Sequence, residues 1–82
     1  MQEGSGYMSE ELVLYQFPQC PYCAYVLSEI RRLDIAVELR DTRENGHHRA
    51  ELIRRTGKSQ VPCLFINDKP MFESADIVAY LR

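Results

Sequence analysis

Leu12-Val13-Leu14-Tyr15-Gln16-Phe17-Pro18-Gln19-Cys20-Pro21-Tyr22-Cys23 is the stretch on which the fold turns. Leu12 to Tyr15 form a short apolar run rich in β-formers, the pattern of a buried strand. Two prolines then enforce an extended turn over Phe17-Pro18-Gln19-Cys20-Pro21. Pro21 suits the first position of a helix, because its missing N–H would have no partner there. Beyond it Cys23, Val26, Leu27, Ile30 and Leu33 recur at steps of three and four, one apolar helical face. A strand that stops and a helix that starts around one cysteine place Cys20 at the N-cap.

That position has chemical consequences. The N–H groups of Tyr22 and Cys23 have no partner inside the helix, and the positive end of the helix dipole lies beside them. A sulfur at the N-cap is stabilised there as thiolate, so the pKa of Cys20 is expected below the unperturbed value of about 8.5. Cys23, one turn in and on the apolar face, is expected to be less exposed and less acidic. The asymmetry assigns roles: Cys20 attacks a disulfide, and Cys23 resolves the mixed disulfide that results.

Outward from this unit, Ile35, Val37 and Leu39 alternate with Ala36, Glu38 and Arg40, the period of a strand. Residues 41–46 are polar and turn-rich. A second helix is predicted over 47–55, using Ala50, Leu52 and Ile53 and closed by Gly57. A strand over 61–66, interrupted by Pro62, leads through an Asn67-Asp68 turn into a short edge strand around Met71-Phe72. Ser74 is read as the N-cap of a last helix carrying Ile77, Val78 and Leu81. The order β-α-β-α-β-β-α predicts an α/β domain over 11–82. It begins with a right-handed parallel βαβ unit and ends in an antiparallel hairpin. The result is a mixed four-stranded sheet with helices on both faces. Residues 1–10, polar and without period, are read as a disordered N-terminal extension or an expression remnant ahead of a native start at Met8.

The 82 residues suffice for one domain, and 45% hydrophobic with 27% charged residues is ordinary for a globular protein. A net charge of −2 without a Lys/Arg run gives no footprint for nucleic acid. No stretch approaches the roughly 20 apolar residues of a membrane span, and no signal segment opens the chain. A cytoplasmic, monomeric protein is expected. Three cysteines do not make a disulfide-stapled secreted scaffold. Structural zinc wants four ligands, and beyond the Cys20–Cys23 pair only Cys63, His47 and His48 are available. Adjacent histidines on a helix diverge by about 100°, so no metal site is expected. Redox chemistry is the better account of the pair.

Cys20-Pro21-Tyr22-Cys23, Val61-Pro62 ahead of a strand and Glu73-Ser74 at a helix start together resemble the glutaredoxins, in a branch close to the N-terminal domain of glutathione transferases. The resemblance runs from Leu12 to Arg82 and implies a thioredoxin-like fold. It implies a glutathione-dependent oxidoreductase that reduces protein–glutathione mixed disulfides and protein disulfides, with glutathione as co-substrate and such proteins as partners. By position, Pro62 matches a proline that is cis in that family, packed beside the active-site sulfur. Val61 matches the residue whose backbone pairs with the cysteinyl part of glutathione. Glu73 and Ser74 match the pair that receives its γ-glutamyl end, and Asp76 a position that faces the same end. Tyr22 matches a ring beside the glutathionyl sulfur, and Arg49 is placed to reach the glycyl carboxylate. Capping alone would also explain Ser74, and the helix dipole Asp76.

Two departures stand out. Many glutaredoxins carry Lys or Arg three residues before the first cysteine; this chain has Phe17. Either the helix terminus suffices for Cys20, or Lys58, Arg49 or Arg43 substitutes, or glutathione binds weakly. The common Gly-Gly before the last helix is replaced by Phe72-Glu73. The sequence also carries none of the C-terminal helical domain of the transferases, so conjugation of electrophiles is not expected. Two other functions remain open. One is a carrier in which two chains hold a [2Fe–2S] cluster through Cys20 and two glutathiones, against which Pro21 argues. The other is a redoxin reduced directly by thioredoxin reductase.

Overall fold

A computed structural model describes residues 10–82. The leader read over 1–10 therefore lies, except for Glu10, outside the described residues.

Strand β1 (Leu12–Gln16) is followed by α1 (Pro21–Leu33), β2 (Glu38–Asp41), α2 (Gly46–Thr56), β3 (Cys63–Ile66), β4 (Lys69–Met71) and α3 (Ser74–Leu81). The sheet order is β2-β1-β3-β4. The pairing of β1 with β2 is parallel, and those of β1 with β3 and β3 with β4 are antiparallel. This is the mixed sheet expected, in a thioredoxin-like α/β fold. Val13 to Gln16 are all buried, as a central strand covered on both faces requires.

Alternation along β1 divides the core in two. Leu14 and Leu64, partners across the sheet, face α1 and α3 and pack with Val26, Leu27, Ile30, Ile77 and Val78. Val13, Tyr15, Cys63 and Phe65 face the other way and pack with Leu52 of α2. The Tyr15 hydroxyl donates to Glu51, and Arg40 Nη1 donates to both Tyr15 (2.8 Å) and Glu51 (2.7 Å), so a polar clasp closes α2 over this half. Among the described residues no helix is long and apolar enough to cross a membrane.

The edge strand is Lys69–Met71 rather than around Met71-Phe72, and α2 runs one residue past expectation at each end; three further boundaries differ for identifiable reasons. The strand read from Ile35 begins only at Glu38, because the Ile35 N–H bonds Ile30 O (3.2 Å) and serves the end of α1, where Asp34 takes a left-handed φ of 56°. Leu39, expected to face the core, is 48% exposed on this edge strand. The strand read from Val61 begins at Cys63: Pro62 has no N–H to give the ladder, and the Val61–Pro62 peptide bond is cis. The N-cap of α3 is Glu73, not Ser74. Glu73 has φ 72° and its carbonyl accepts the first helical bond, from Ile77 N–H (3.0 Å), which makes Ser74 the first helical residue. The Asn67-Asp68 turn is as read, with φ 48° and 75° at its two residues, values suited to a tight hairpin.

Candidate functional site

The site is assembled at one end of the sheet, where β1 runs into α1, the cis-proline bend leads into β3, and β4 leads into α3. Pro21 is the first residue of α1 and Cys20 its N-cap, with extended backbone (φ −83°, ψ 124°). The Cys20 N–H bonds Phe17 O (3.1 Å), and its carbonyl accepts from Ala24 N–H (2.8 Å), so the turn and the helix hold the residue from both sides. Its side chain makes no close capping hydrogen bond. The amides of Cys23 and Tyr22 nonetheless face the sulfur and favour its thiolate.

Burial on its own would raise the Cys20 pKa. The Cys23 amide and thiol, the Tyr22 amide and the positive charge of Arg43 outweigh it, and the pKa is lowered. Cys23 is fully buried, and that burial pushes its thiol up to about 12; the neighbouring Cys20 and the charge of Asp41 act in the same direction. Cys63 is likewise buried, on the α2 side of the sheet, and is raised to about 11 by that burial. All three are free thiols. One acidic, accessible sulfur thus stands beside one that is sheltered and hard to ionise.

Beside this pair lies a groove of about 390 Å³ lined by Tyr22, Gln60, Val61, Pro62, Glu73 and Ser74. Tyr22 is 67% exposed, and its place between the two cysteines sets the groove next to the thiols. Pro62 forms a buried wall and Val61 a half-buried one. Across from Tyr22, the positive φ of Glu73 turns the chain into α3, so that the side chains of Glu73 and Ser74 border the groove where the first amides of α3 lack helical partners. Five residues singled out in the sequence thus meet in one cavity. Asp76, in the first turn of α3, and Arg49, exposed on α2, do not line it. Two other concavities lie against α2 and are bordered by charged side chains such as Arg40, Glu51 and Arg54 or Arg55.

Gln60 was not legible in the sequence: a polar residue before Val61-Pro62 carries no signal until the cis bend brings it to the groove. Lys58, Arg49 and Arg43 are the cations that could stand in for a basic residue near Cys20. Of these, Lys58 is engaged elsewhere, with Nζ 4.3 Å from the centre of the Phe72 ring. Arg43 instead lies over Phe17, its Cζ 4.3 Å from the ring centre. Among the described residues no group of three or more His, Cys, Asp or Glu side chains is placed to hold a metal ion.

A family model described as glutaredoxin matches residues 12–71. No curated protein sequence matches the chain. Among solved structures, a glutathione transferase homologue from Drosophila mojavensis with bound glutathione superposes with a TM-score of 0.75 at 20% identity, over 89% of this chain and 34% of that one. A thioredoxin-like protein superposes with a TM-score of 0.74 at 19% identity, over 88% of this chain and 100% of the other. A glutathione transferase from Bombyx mori gives 0.71 at 25% identity, over 87% and 34%. The chain spans about a third of the length of these transferases.

Proposed function

Since the chain belongs to the glutaredoxin family, and so to the glutathione-related thiol oxidoreductases, we propose that it reduces protein–glutathione mixed disulfides and protein disulfides with glutathione. The observation that carries this reading is the contrast between an acidified Cys20 and a sheltered Cys23 beside a groove with a positive-φ turn and a helix start at its far end.

In the mixed-disulfide reaction the Cys20 thiolate attacks the glutathionyl sulfur. A Cys20–glutathione bond forms, the original disulfide breaks, and the protein thiolate leaves and takes a proton. A second glutathione thiolate then attacks the adduct, releasing glutathione disulfide and restoring Cys20. The net exchange consumes one free glutathione, because the other half of the glutathione disulfide is the glutathionyl group taken from the substrate. With a protein disulfide, Cys20 forms the mixed disulfide and Cys23 loses its proton and attacks it. That step expels the second substrate thiol and leaves a Cys20–Cys23 bond, which two glutathiones reduce.

In this reading the groove holds the glutathionyl group with its backbone along Val61 and its γ-glutamyl end toward Glu73 and Ser74. A carboxylate there would meet unpartnered amides at the start of α3, and the Glu73 carboxylate would meet the ammonium group. Transferase neighbours, one of them with glutathione bound, share this architecture and support the choice of co-substrate.

The test is glutathione-dependent reduction of a glutathionylated peptide. Cys20→Ser is expected to abolish turnover and Cys23→Ser to retain it, while reduction of a protein disulfide is lost in both. Turnover of the glutathionylated peptide that survives Cys20→Ser would refute the assignment.

A further inference from the structure

The loop between β2 and α2 brings one cation over Phe17, three residues before Cys20, and backbone bonds fix that loop. Thr42, buried, donates its N–H to Gln16 O (2.9 Å) at the end of β1. The N–H groups of Arg43 and Glu44 both donate to Asp41 Oδ1 at 2.8 Å, and Asn45 N–H donates to Asp41 O (3.3 Å). These bonds occupy the Asp41 carboxylate with backbone amides. Among the described residues the Arg43 guanidinium makes no hydrogen bond or ion pair; what holds it is the Phe17 ring beneath it. Phe17 in turn receives the Cys20 N–H on its carbonyl. Ring and cysteine therefore belong to one tight turn, and the cation stacks on that turn from the β2–α2 loop.

We infer that Arg43, held over Phe17, is the positioning cation of the Cys20 site and gives it a preference for negatively charged disulfide substrates. This rests on Cys20 as the nucleophile. The groups that act on that sulfur are the amide and thiol of Cys23, the amide of Tyr22 and the charge of Arg43, while Asp41 acts on the neighbouring Cys23. Lys58 is directed to Phe72. Arg43 is the cation among them whose charge acts on Cys20, and its effect adds to those of the Tyr22 and Cys23 amides. A stacked guanidinium keeps its edge donors directed outward, where an incoming carboxylate can meet them in paired bonds. Phe17, where a basic residue would otherwise stand, thus supplies the platform for a base brought from elsewhere in the chain.

The test compares alkylation of Cys20 by iodoacetate, an anion, and iodoacetamide, which is neutral, with each product located by mass spectrometry. In both reactions the thiolate displaces iodide, forming a C–S bond as the C–I bond breaks. Arg43→Ala is expected to slow iodoacetate about two- to fivefold more than iodoacetamide, the scale of an exposed charge interaction. Arg43→Lys should restore much of the ratio, and Phe17→Leu, which removes the platform, should reproduce the loss. Salt at about 1 M should erase the wild-type preference. An unchanged iodoacetate-to-iodoacetamide ratio in both Arg43→Ala and Phe17→Leu would overturn the inference and leave the assignment of Cys20 standing. A wild type in which Cys20 reacts no faster than Cys23 or Cys63 would remove both.

Discussion

Burial separates the two thiols of the motif. Both belong to the start of α1, but Cys23 falls on the face packed into the molecule and Cys20 on the turn outside it. The lowered pKa of Cys20 makes its thiolate fraction rise at pH values below the usual cysteine range of about 8.5. Cys23, at about 12, and Cys63, at about 11, remain thiols there. Alkylation of the reduced protein at neutral pH is therefore expected to modify Cys20 ahead of the other two, with a rate that climbs with pH and levels off earlier than that of an unperturbed thiol. A profile that climbs through 8.5 at all three cysteines would mean that the helix start does not tune Cys20. The sign of the stability effect follows. A depressed folded pKa at Cys20 contributes stability that is present above the unfolded value of about 8.5 and lost as pH falls through the folded one. The raised values at Cys23 and Cys63 act oppositely, weakening the fold above about 8.5, where the unfolded chain ionises and the buried thiols cannot.

At the scale of an element, α2 is the helix held by the least apolar contact. Leu52 is its one buried residue, while Ile53 is 37% exposed. Leu52→Ala is expected to cost about 2–5 kcal/mol in denaturant unfolding, and Ile53→Ala well under about 1 kcal/mol. Equal costs would show that the polar clasp of Tyr15, Arg40 and Glu51, rather than Leu52, fastens the helix. This contrast between neighbours also marks where sequence patterning stops being informative. The strand–turn–helix unit around Cys20 was readable because prolines, period and N-cap preference agree locally, and the element order followed from it. Leu39 misled because alternation does not say which strand is an edge. Ser74 misled because its preference for the N-cap is overridden by the turn from β4, which puts Glu73 at φ 72°. A glycine would enter that conformation without strain, so the sequence at Phe72-Glu73 concealed the bend. Arg43 over Phe17 and Gln60 in the groove are tertiary contacts between distant positions, and no local pattern encodes them.

On the scale of the whole molecule, three chain reversals meet at one end of the sheet and contribute the nucleophile, the groove wall and the helix start that faces them. The glutaredoxin family model, over residues 12–71, covers the first two of these and ends before α3. The far side, under α2, is charged and is built from Arg40, Glu51, Arg54 and Arg55. The proposed function requires the groove, and not that side, to receive glutathione. The most direct measurement is the amide chemical-shift map of Cys23→Ser, compared before and after glutathionylation by glutathione disulfide. The adduct is expected on Cys20, with the largest changes at Tyr22, Gln60, Val61, Glu73, Ser74 and the following amides of α3. Failure to form that adduct, or shifts concentrated on α2 and β2 instead, would contradict the account.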